Sequence, residues 1–243
     1  MVESTFDWKK EFFNNDNFEQ NKPFNYDLCV TYFEEAAKDL NNLNPWFLFR
    51  AIWEITKAFK ALSTALSVGF SDITSKVEVW RTIIKENYSD CNTVQEVLEK
   101  ELNLKIHELN GDNNSDFGHK KKTQYYTYVS GTRTLLRLTW FLDFFNSILK
   151  NSEVEKTKGF NDCIRMAYDK ALAPHHPWLV RKGAGIGISL APSKREKAMN
   201  AFFGKETYDE EVQAKIRRWQ EVTYKIWEKL YAYYETNKLL SLP

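Results

Sequence analysis

The chain has 243 residues, of which 15% are aromatic, and its 34 Lys and Arg nearly balance its 33 Asp and Glu, giving a formal net charge of +1. This composition is too apolar and too charge-balanced for a disordered protein, and it supplies no overall field to attract a nucleic acid or an acidic membrane. Gly and Pro are scarce, at nine and six residues. We therefore expect long helices joined by few loops.

The first half of the chain predicts an N-terminal arm followed by long helices. Residues 1–25 are polar and rich in Asn, and we expect either a short helix or a loosely docked segment. Apolar residues recur at helical spacing over 26–43, and Pro45 then marks the start of another helix. The apolar pattern over 46–88 is long enough for two helices, with Gly69 as the expected break.

The second half predicts further helices around one polar loop. A helix is expected over 94–109, and the loop occupies 110–122. Later helices are predicted over 125–149, 161–173, a glycine-containing stretch ending at 190, 193–203 and 209–237. No repeat or linker divides this pattern, so we expect one all-α domain over residues 26–243.

Motifs for catalysis and cofactor binding are missing from the sequence. It has no phosphate-binding glycine loop, zinc-protease motif or hydrolase motif, and no nucleophile–base pair can be assembled, so an enzyme is the least expected class. The four His and three Cys lack metal-ligand spacing, and we expect no metal or cofactor. Cys29, Cys91 and Cys163 are interpreted as reduced, buried thiols. No secretory or membrane-spanning segment is recognised, which favours a cytoplasmic protein.

Two pairs of charged residues lie within apolar stripes. Asp72 and Lys76 are four residues apart, on a helix face whose other residues are mostly apolar. Arg133 and Arg137 have the same spacing, and their like charges repel unless they share an anion. The ordinary interpretation of the first pair is a surface salt bridge. That of the second is two snorkelling arginines, each with its own carboxylate partner. The functional alternative is a pocket-facing site in which the guanidinium groups bind a phosphate.

Five segments carry a family resemblance when they are taken together. They are residues 69–76, 131–138, 167–178, 179–182 and 237–243. In this order and at these spacings they resemble the glycolipid transfer protein superfamily, over about residues 26–243. The resemblance implies an all-α, two-layer helical sandwich with an apolar lipid pocket between its layers.

The resemblance also implies a headgroup. Glycolipid carriers of this family have Asn four residues after the aspartate and Trp at the position of Arg137, whereas this chain has Lys76 and Arg137. It therefore resembles the ceramide-1-phosphate transfer branch. By resemblance, Lys76, Arg133 and Arg137 would bind the lipid phosphate. Asp72 and His176 would bind the ceramide amide.

A membrane-docking role is implied for the segment after the histidines. Trp178 matches a tryptophan associated with docking, and Arg181 and Lys182 follow it. Without the family context, His176 is typical of a capping histidine and Trp178 of a core residue.

The implied function is non-enzymatic transfer of a phosphosphingolipid, above all ceramide-1-phosphate, between membranes. The protein would capture the headgroup, bury the acyl and sphingoid chains, and act as a monomer that contacts membranes transiently and binds no nucleic acid. Three alternatives stay open. They are a lipid sensor with the same pocket, a glycosphingolipid carrier, and a helical interaction scaffold whose charges form ordinary salt bridges.

Overall fold

The computed structural model describes residues 6–108, 121–122, 127–128 and 130–242, and within them the chain is built almost entirely from helices. The α-helices are α1 Trp8–Phe13, α2 Tyr26–Ala37, α3 Pro45–Leu62, α4 Thr64–Glu86, α5 Val94–Asn103, α6 Gly131–Val154, α7 Phe160–Ala171, α8 Trp178–Ser189, α9 Arg195–Phe203 and α10 Glu210–Thr236. Short 3₁₀ turns cover Asn15–Phe18, Ile106–Glu108 and Ala173–His175. Strands β1 Lys121–Lys122 and β2 Thr127–Tyr128 form an antiparallel pair. The rest of the predicted 110–122 loop lies outside the described residues.

Helix boundaries follow capping side chains in the sequence. Six helices begin after a side chain that accepts a backbone N–H of the first turn, namely Asp7, Asn25, Asn44, Thr93, Ser130 and Asp209. Helix α9 ends at Gly204, whose φ of 66° is left-handed, as predicted for a glycine that closes a helix.

The predicted break in the long apolar pattern is wrong in position. The backbone is extended at Ser63, which separates α3 from α4, while Gly69 lies inside α4. A glycine inside a helix costs only about 1 kcal/mol relative to Ala, which tertiary packing readily outweighs. Similarly, α6 begins at Gly131 rather than residue 125, because Ser130 caps it.

The helices pack as a two-layer, all-α sandwich, which confirms the predicted fold class. Helix α3 packs on α2 and α4, helix α6 packs on α4, α7 and α10, and α10 also packs on α2. Six phenylalanines fill the centre where α3, α4, α6 and α9 meet: Phe59, Phe70, Phe141, Phe144, Phe145 and Phe202. The Phe59 and Phe70 rings stack with centroids 4.0 Å apart. We call this group the phenylalanine cluster.

The N-terminal segment is packed onto the helical core. Phe12 and Phe18 are buried, and the Arg81 guanidinium lies 4.2 Å from the centroid of the Phe18 ring. Arg81 also donates to the Phe12 carbonyl (2.8 Å) and to Oδ1 of Asn15 (3.0 Å). Phe12 and Phe18 thereby belong to the same hydrophobic core as the following helices.

The three cysteines are buried with free thiols, as predicted. Burial raises the pKa of the Cys29 thiol well above its ordinary value. Within the described ranges, no helix combines the length and the apolar character that crossing a membrane requires.

Candidate functional site

Helix α4 supplies the first charged pair. The Lys76 ammonium donates to Oδ1 of Asp72, one helical turn earlier. The Lys76 side chain is 8% exposed and that of Asp72 is 47% exposed. The pair is therefore asymmetric, with a buried cation and a carboxylate that reaches solvent, unlike an ordinary surface salt bridge.

Helix α6 supplies two adjacent guanidinium groups. Arg133 is 2% exposed, its Nε donates to the His107 carbonyl (2.9 Å), and its buried Nη1 has no hydrogen-bond partner among the described residues. Arg137 is half-buried and donates from Nη1 to the Arg133 carbonyl (2.9 Å). Burial, and then the charge of Arg137, lower the pKa of the Arg133 guanidinium. Because no described carboxylate pairs with Arg133, the snorkelling interpretation does not fit it.

Helices α4 and α6 pack side by side, and contacts near their ends fix their register. Gly131, at the start of α6, packs so closely on Ile83, near the end of α4, that a Cβ would lie 2.6 Å from its Cδ1. At the other end, the rings of Phe70 and Phe144 stack with centroids 6.2 Å apart. The helices are therefore antiparallel. Lys76 lies midway between these contacts on α4 and Arg137 lies midway on α6, so this register puts the two residues at a similar level along the helices, with Asp72 and Arg133 toward opposite ends.

The histidine segment between α7 and α8 lies against the same part of α6. The His175 ring stacks on Trp140 with centroids 3.6 Å apart and an interplanar angle of 2°. Trp140 is one turn beyond Arg137. His176 Nδ1 lies 2.9 Å from the Tyr168 hydroxyl. The structure thus brings the predicted amide-binding histidine to the region of the arginine pair.

Helix α8 presents an exposed apolar face with cations beside it. Trp178 is 61% and Leu179 72% exposed, so the core interpretation of Trp178 is wrong. The Lys182 ammonium lies 4.2 Å from the centroid of the Trp178 ring, and Arg181 is exposed. Further exposed apolar side chains are Val180, Ile186 and Leu190. Helix α8 packs against α4 and α7, which carry the site residues Lys76 and Tyr168.

The family of the chain follows from a match over most of its length. The model of the glycolipid transfer protein family matches residues 47–202. This chain belongs to that family. The ceramide-1-phosphate transfer protein of Danio rerio is 29% identical over 197 residues, covering 78% of this chain and 84% of that protein. The protein of the same name from Mus musculus is 23% identical over 229 residues, covering 91% and 98%.

Solved structures share the fold of this family member. Human ceramide-1-phosphate transfer protein in complex with 2:0 ceramide-1-phosphate superposes with a TM-score of 0.76 at 19% identity, covering 91% of this chain and all of that one. HET-C2, a fungal glycolipid transfer protein, gives a TM-score of 0.64 at 20% identity, covering 94% and 96%. The all-α, two-layer fold implied by the resemblance is therefore confirmed.

Two residues of the site have no role assigned from the sequence. Tyr168 lies in a segment that carries the resemblance, but its contact with His176 is formed only in three dimensions. Glu101 is fully buried and accepts from the backbone N–H groups of Gly131 (2.6 Å) and Thr132 (2.8 Å). A sequence signal for it exists, because Glu101 continues a helical stripe of buried apolar residues, Val94, Val97 and Leu98.

Proposed function

We propose that this chain carries ceramide-1-phosphate, or a closely related phosphosphingolipid, between membranes as a cytoplasmic monomer without catalysing a reaction. The observation that supports this proposal most is the buried Arg133, whose Nη1 lacks a partner among the described residues and lies in the field of Arg137. A phosphate monoester would accept from such donors and relieve the repulsion between the two guanidinium groups.

The formal charges of the site favour a phosphate over a sugar. Lys76 and the two arginines, together with Asp72, carry a formal charge of +2. A phosphate monoester carries about −1.5 to −2 at neutral pH, so the headgroup would be nearly neutralised on binding. The attraction would be strengthened by burial of the cations, since charges interact more strongly away from bulk water.

The ceramide amide would be bound by groups of opposite hydrogen-bonding character. The partly exposed Asp72 carboxylate can accept the amide N–H. His176 would hold the amide carbonyl, with the Tyr168 hydroxyl at Nδ1 fixing the orientation of the ring. Both roles remain those implied by the family resemblance.

The lipid chains require an apolar site because their exposure is costly. Each CH₂ group costs about 0.8 kcal/mol in water, so two long chains would cost on the order of 20 kcal/mol. The phenylalanine cluster supplies apolar surface where α3, α4, α6 and α9 meet. We place the chains there, with the rings moving apart to admit them.

The exposed face of α8 would dock on a phospholipid surface. Trp178 and Leu179 are apolar and exposed, and tryptophan is favoured at membrane–water interfaces. Arg181 and Lys182 would contact lipid phosphates beside them. Because α8 begins two residues after His176, docking would place the headgroup site next to the membrane.

A vesicle-to-vesicle transfer assay across a headgroup panel tests the proposal. We expect transfer of ceramide-1-phosphate in preference to ceramide and to a galactosyl lipid. Arg137→Leu should reduce its rate to less than about a tenth, because a charge-assisted hydrogen bond to phosphate is lost. The matched control is Arg217→Leu, which removes an exposed arginine paired with Glu153 on the outside of α10.

Each other outcome of the assay selects an alternative. Equal or faster transfer of the galactosyl lipid would make the chain a glycosphingolipid carrier. Tight binding of ceramide-1-phosphate with negligible transfer would make it a lipid sensor. If folded Arg137→Leu behaves like Arg217→Leu and no lipid is bound, the helical scaffold interpretation holds.

A further inference from the structure

A buried carboxylate occupies the N-terminus of α6, where the arginine pair begins. Glu101 Oε1 accepts from Gly131 N (2.6 Å), and Oε2 accepts from Thr132 N and Thr132 Oγ1, both at 2.8 Å. The Ser130 hydroxyl is 3.0 Å from Oε2. The Tyr88 hydroxyl lies 3.5 Å from Oε1, and among the described residues no Lys or Arg forms a salt bridge with Glu101. Burial raises the pKa of the Glu101 carboxyl, while the donors from Gly131, Thr132 and Ser130 and the positive end of the α6 dipole favour its charged form.

The hydrogen bonds continue from this carboxylate to both arginines. The Ser130 hydroxyl, which contacts Glu101, also accepts from Arg133 N (3.2 Å). The Arg133 carbonyl in turn accepts from Arg137 Nη1 (2.9 Å). On the other side, Arg133 Nε donates to the carbonyl of His107, just beyond α5. Helix α6 is therefore held at two points. Its backbone N–H groups bind the Glu101 side chain on α5, and its Arg133 side chain binds the His107 carbonyl just beyond α5.

Only a carboxylate fits the position of Glu101. Both of its oxygens face backbone N–H groups, which cannot rotate to donate elsewhere. A glutamine would have to turn its NH₂ group toward either Gly131 N or Thr132 N and would leave that donor unpaired. The carboxylate also fills the place that an external anion takes at an open helix N-terminus, so a ligand phosphate is left to the guanidinium groups of Arg133 and Arg137.

We propose that Glu101 is a positioning residue for the headgroup site: by anchoring the first turn of α6 to α5, it holds the guanidinium groups of Arg133 and Arg137 in place for the lipid phosphate. The inference deepens the proposed function and rests on it for the identity of the ligand. The placement of Arg133 itself is independent of any lipid.

The first experiment therefore uses the full chain without lipid. The exchange of the Arg133 Nε–H with water is measured by NMR, with Arg133→Lys to assign the signal. In Glu101→Gln we expect this exchange to become faster by about tenfold or more, since loss of the anchor opens the first turn of α6. The matched control is Thr223→Val, which removes a buried contact with Asn146 further along α6 and should leave the Arg133 signal unchanged.

The second experiment compares affinities for ceramide-1-phosphate and for ceramide with the same chains. Glu101→Gln should weaken ceramide-1-phosphate binding about tenfold and ceramide binding less than about twofold, because only the phosphate uses the displaced guanidinium groups. Thr223→Val should change both affinities by the same small factor. If Glu101→Gln fails to fold, Ser130→Ala replaces it in the test. This variant keeps Glu101 but removes the hydroxyl between Glu101 and Arg133 N, and it should show the same selectivity change at a smaller size.

The outcomes separate this inference from the proposed function. An unchanged Arg133 signal in folded Glu101→Gln and in Ser130→Ala overturns the positioning role. An equal loss of affinity for ceramide and ceramide-1-phosphate does so as well. If the wild-type protein binds no ceramide-1-phosphate, the proposed function fails, and the Arg133 signal still decides whether Glu101 positions this arginine.

Discussion

Gly131 is the residue at which a single atom decides the packing of the site. A Cβ at this position would lie 2.6 Å from Ile83 Cδ1 and 3.1 Å from Glu101 Oε1. Gly183 on α8 provides the opposite case, because a Cβ there would meet nothing within 4 Å. The two glycines therefore differ in why they occur in helices. Gly131 permits the close approach of α6 to α4 and α5, whereas no contact of Gly183 requires a glycine there.

Replacing each glycine by alanine should have effects of opposite sign. Gly131→Ala should destabilise the protein by about 1–3 kcal/mol through overpacking against α4 and α5. Gly183→Ala should stabilise it by about 0.5–1 kcal/mol, because alanine has the better helix propensity and finds open space. Urea unfolding measures both. Equal effects of the two substitutions would contradict the close packing at the start of α6.

Helix α8 differs from the other long helices because most of its apolar side chains face outward. Among its residues only Ile188 is buried, while Trp178 and Leu179 are mostly exposed. An exposed apolar face of this kind on a monomer commonly marks a surface for a partner or a membrane. The neighbouring Arg181 and Lys182 favour a surface that carries phosphates.

Removing one apolar side chain from α8 should weaken membrane docking without affecting headgroup binding. Leu179→Ser should lower vesicle partitioning by about tenfold, since a leucine gains roughly 1.5–3 kcal/mol on full burial. Binding of a short-chain, water-soluble ceramide-1-phosphate should stay unchanged. Val154→Ser is the control, because Val154 is 66% exposed at the far end of α6. Similar partitioning of the two variants in vesicle sedimentation would exclude α8 as the docking face.

The sequence predicts most helices to within a few residues, because apolar periodicity and capping side chains are local signals. It does not predict the break at Ser63, because tertiary contacts outweigh the weak helix propensity of Gly69. It also does not predict the start of α6 at Gly131, because tertiary contacts fix Ser130 as the cap. The spacing of charged residues indicates both pairs of the site. The contact of Glu101 joins residues 30 apart in the chain, and that of Tyr168 joins residues 8 apart across the turn between α7 and α8, so helical spacing could reveal neither of them.

The whole molecule combines the proposed polar headgroup site with an interior filled by aromatic rings. Rings of the phenylalanine cluster come from four helices, and those of Phe59 pack against their neighbours, stacked or edge to face, at 4.0 to 6.5 Å between centroids. Because such an interior is close-packed, two lipid chains can enter it only if the rings and the helices that carry them move apart. Headgroup capture and chain uptake should therefore be separable steps in this fold.

Ligands that differ only in chain length should separate these two steps. At saturation, a short-chain ceramide-1-phosphate should slow amide hydrogen exchange in the first turns of α6. A long-chain form should additionally slow exchange over residues 59–70, where Phe59 and Phe70 flank the α3–α4 junction, because buried chains stabilise the surrounding helices. Identical exchange patterns with both ligands would contradict chain burial in the phenylalanine cluster.

The exposure of Trp178 gives the molecule an intrinsic optical reporter. All eight tryptophans lie in the parts of the chain that the structure describes, and Trp178 is the one whose side chain is mostly in water. The other seven are buried or partly buried, so a blue shift on adding vesicles would come chiefly from α8. Contact between this helix and a bilayer can thus be followed in real time on the unmodified protein, without attaching a dye.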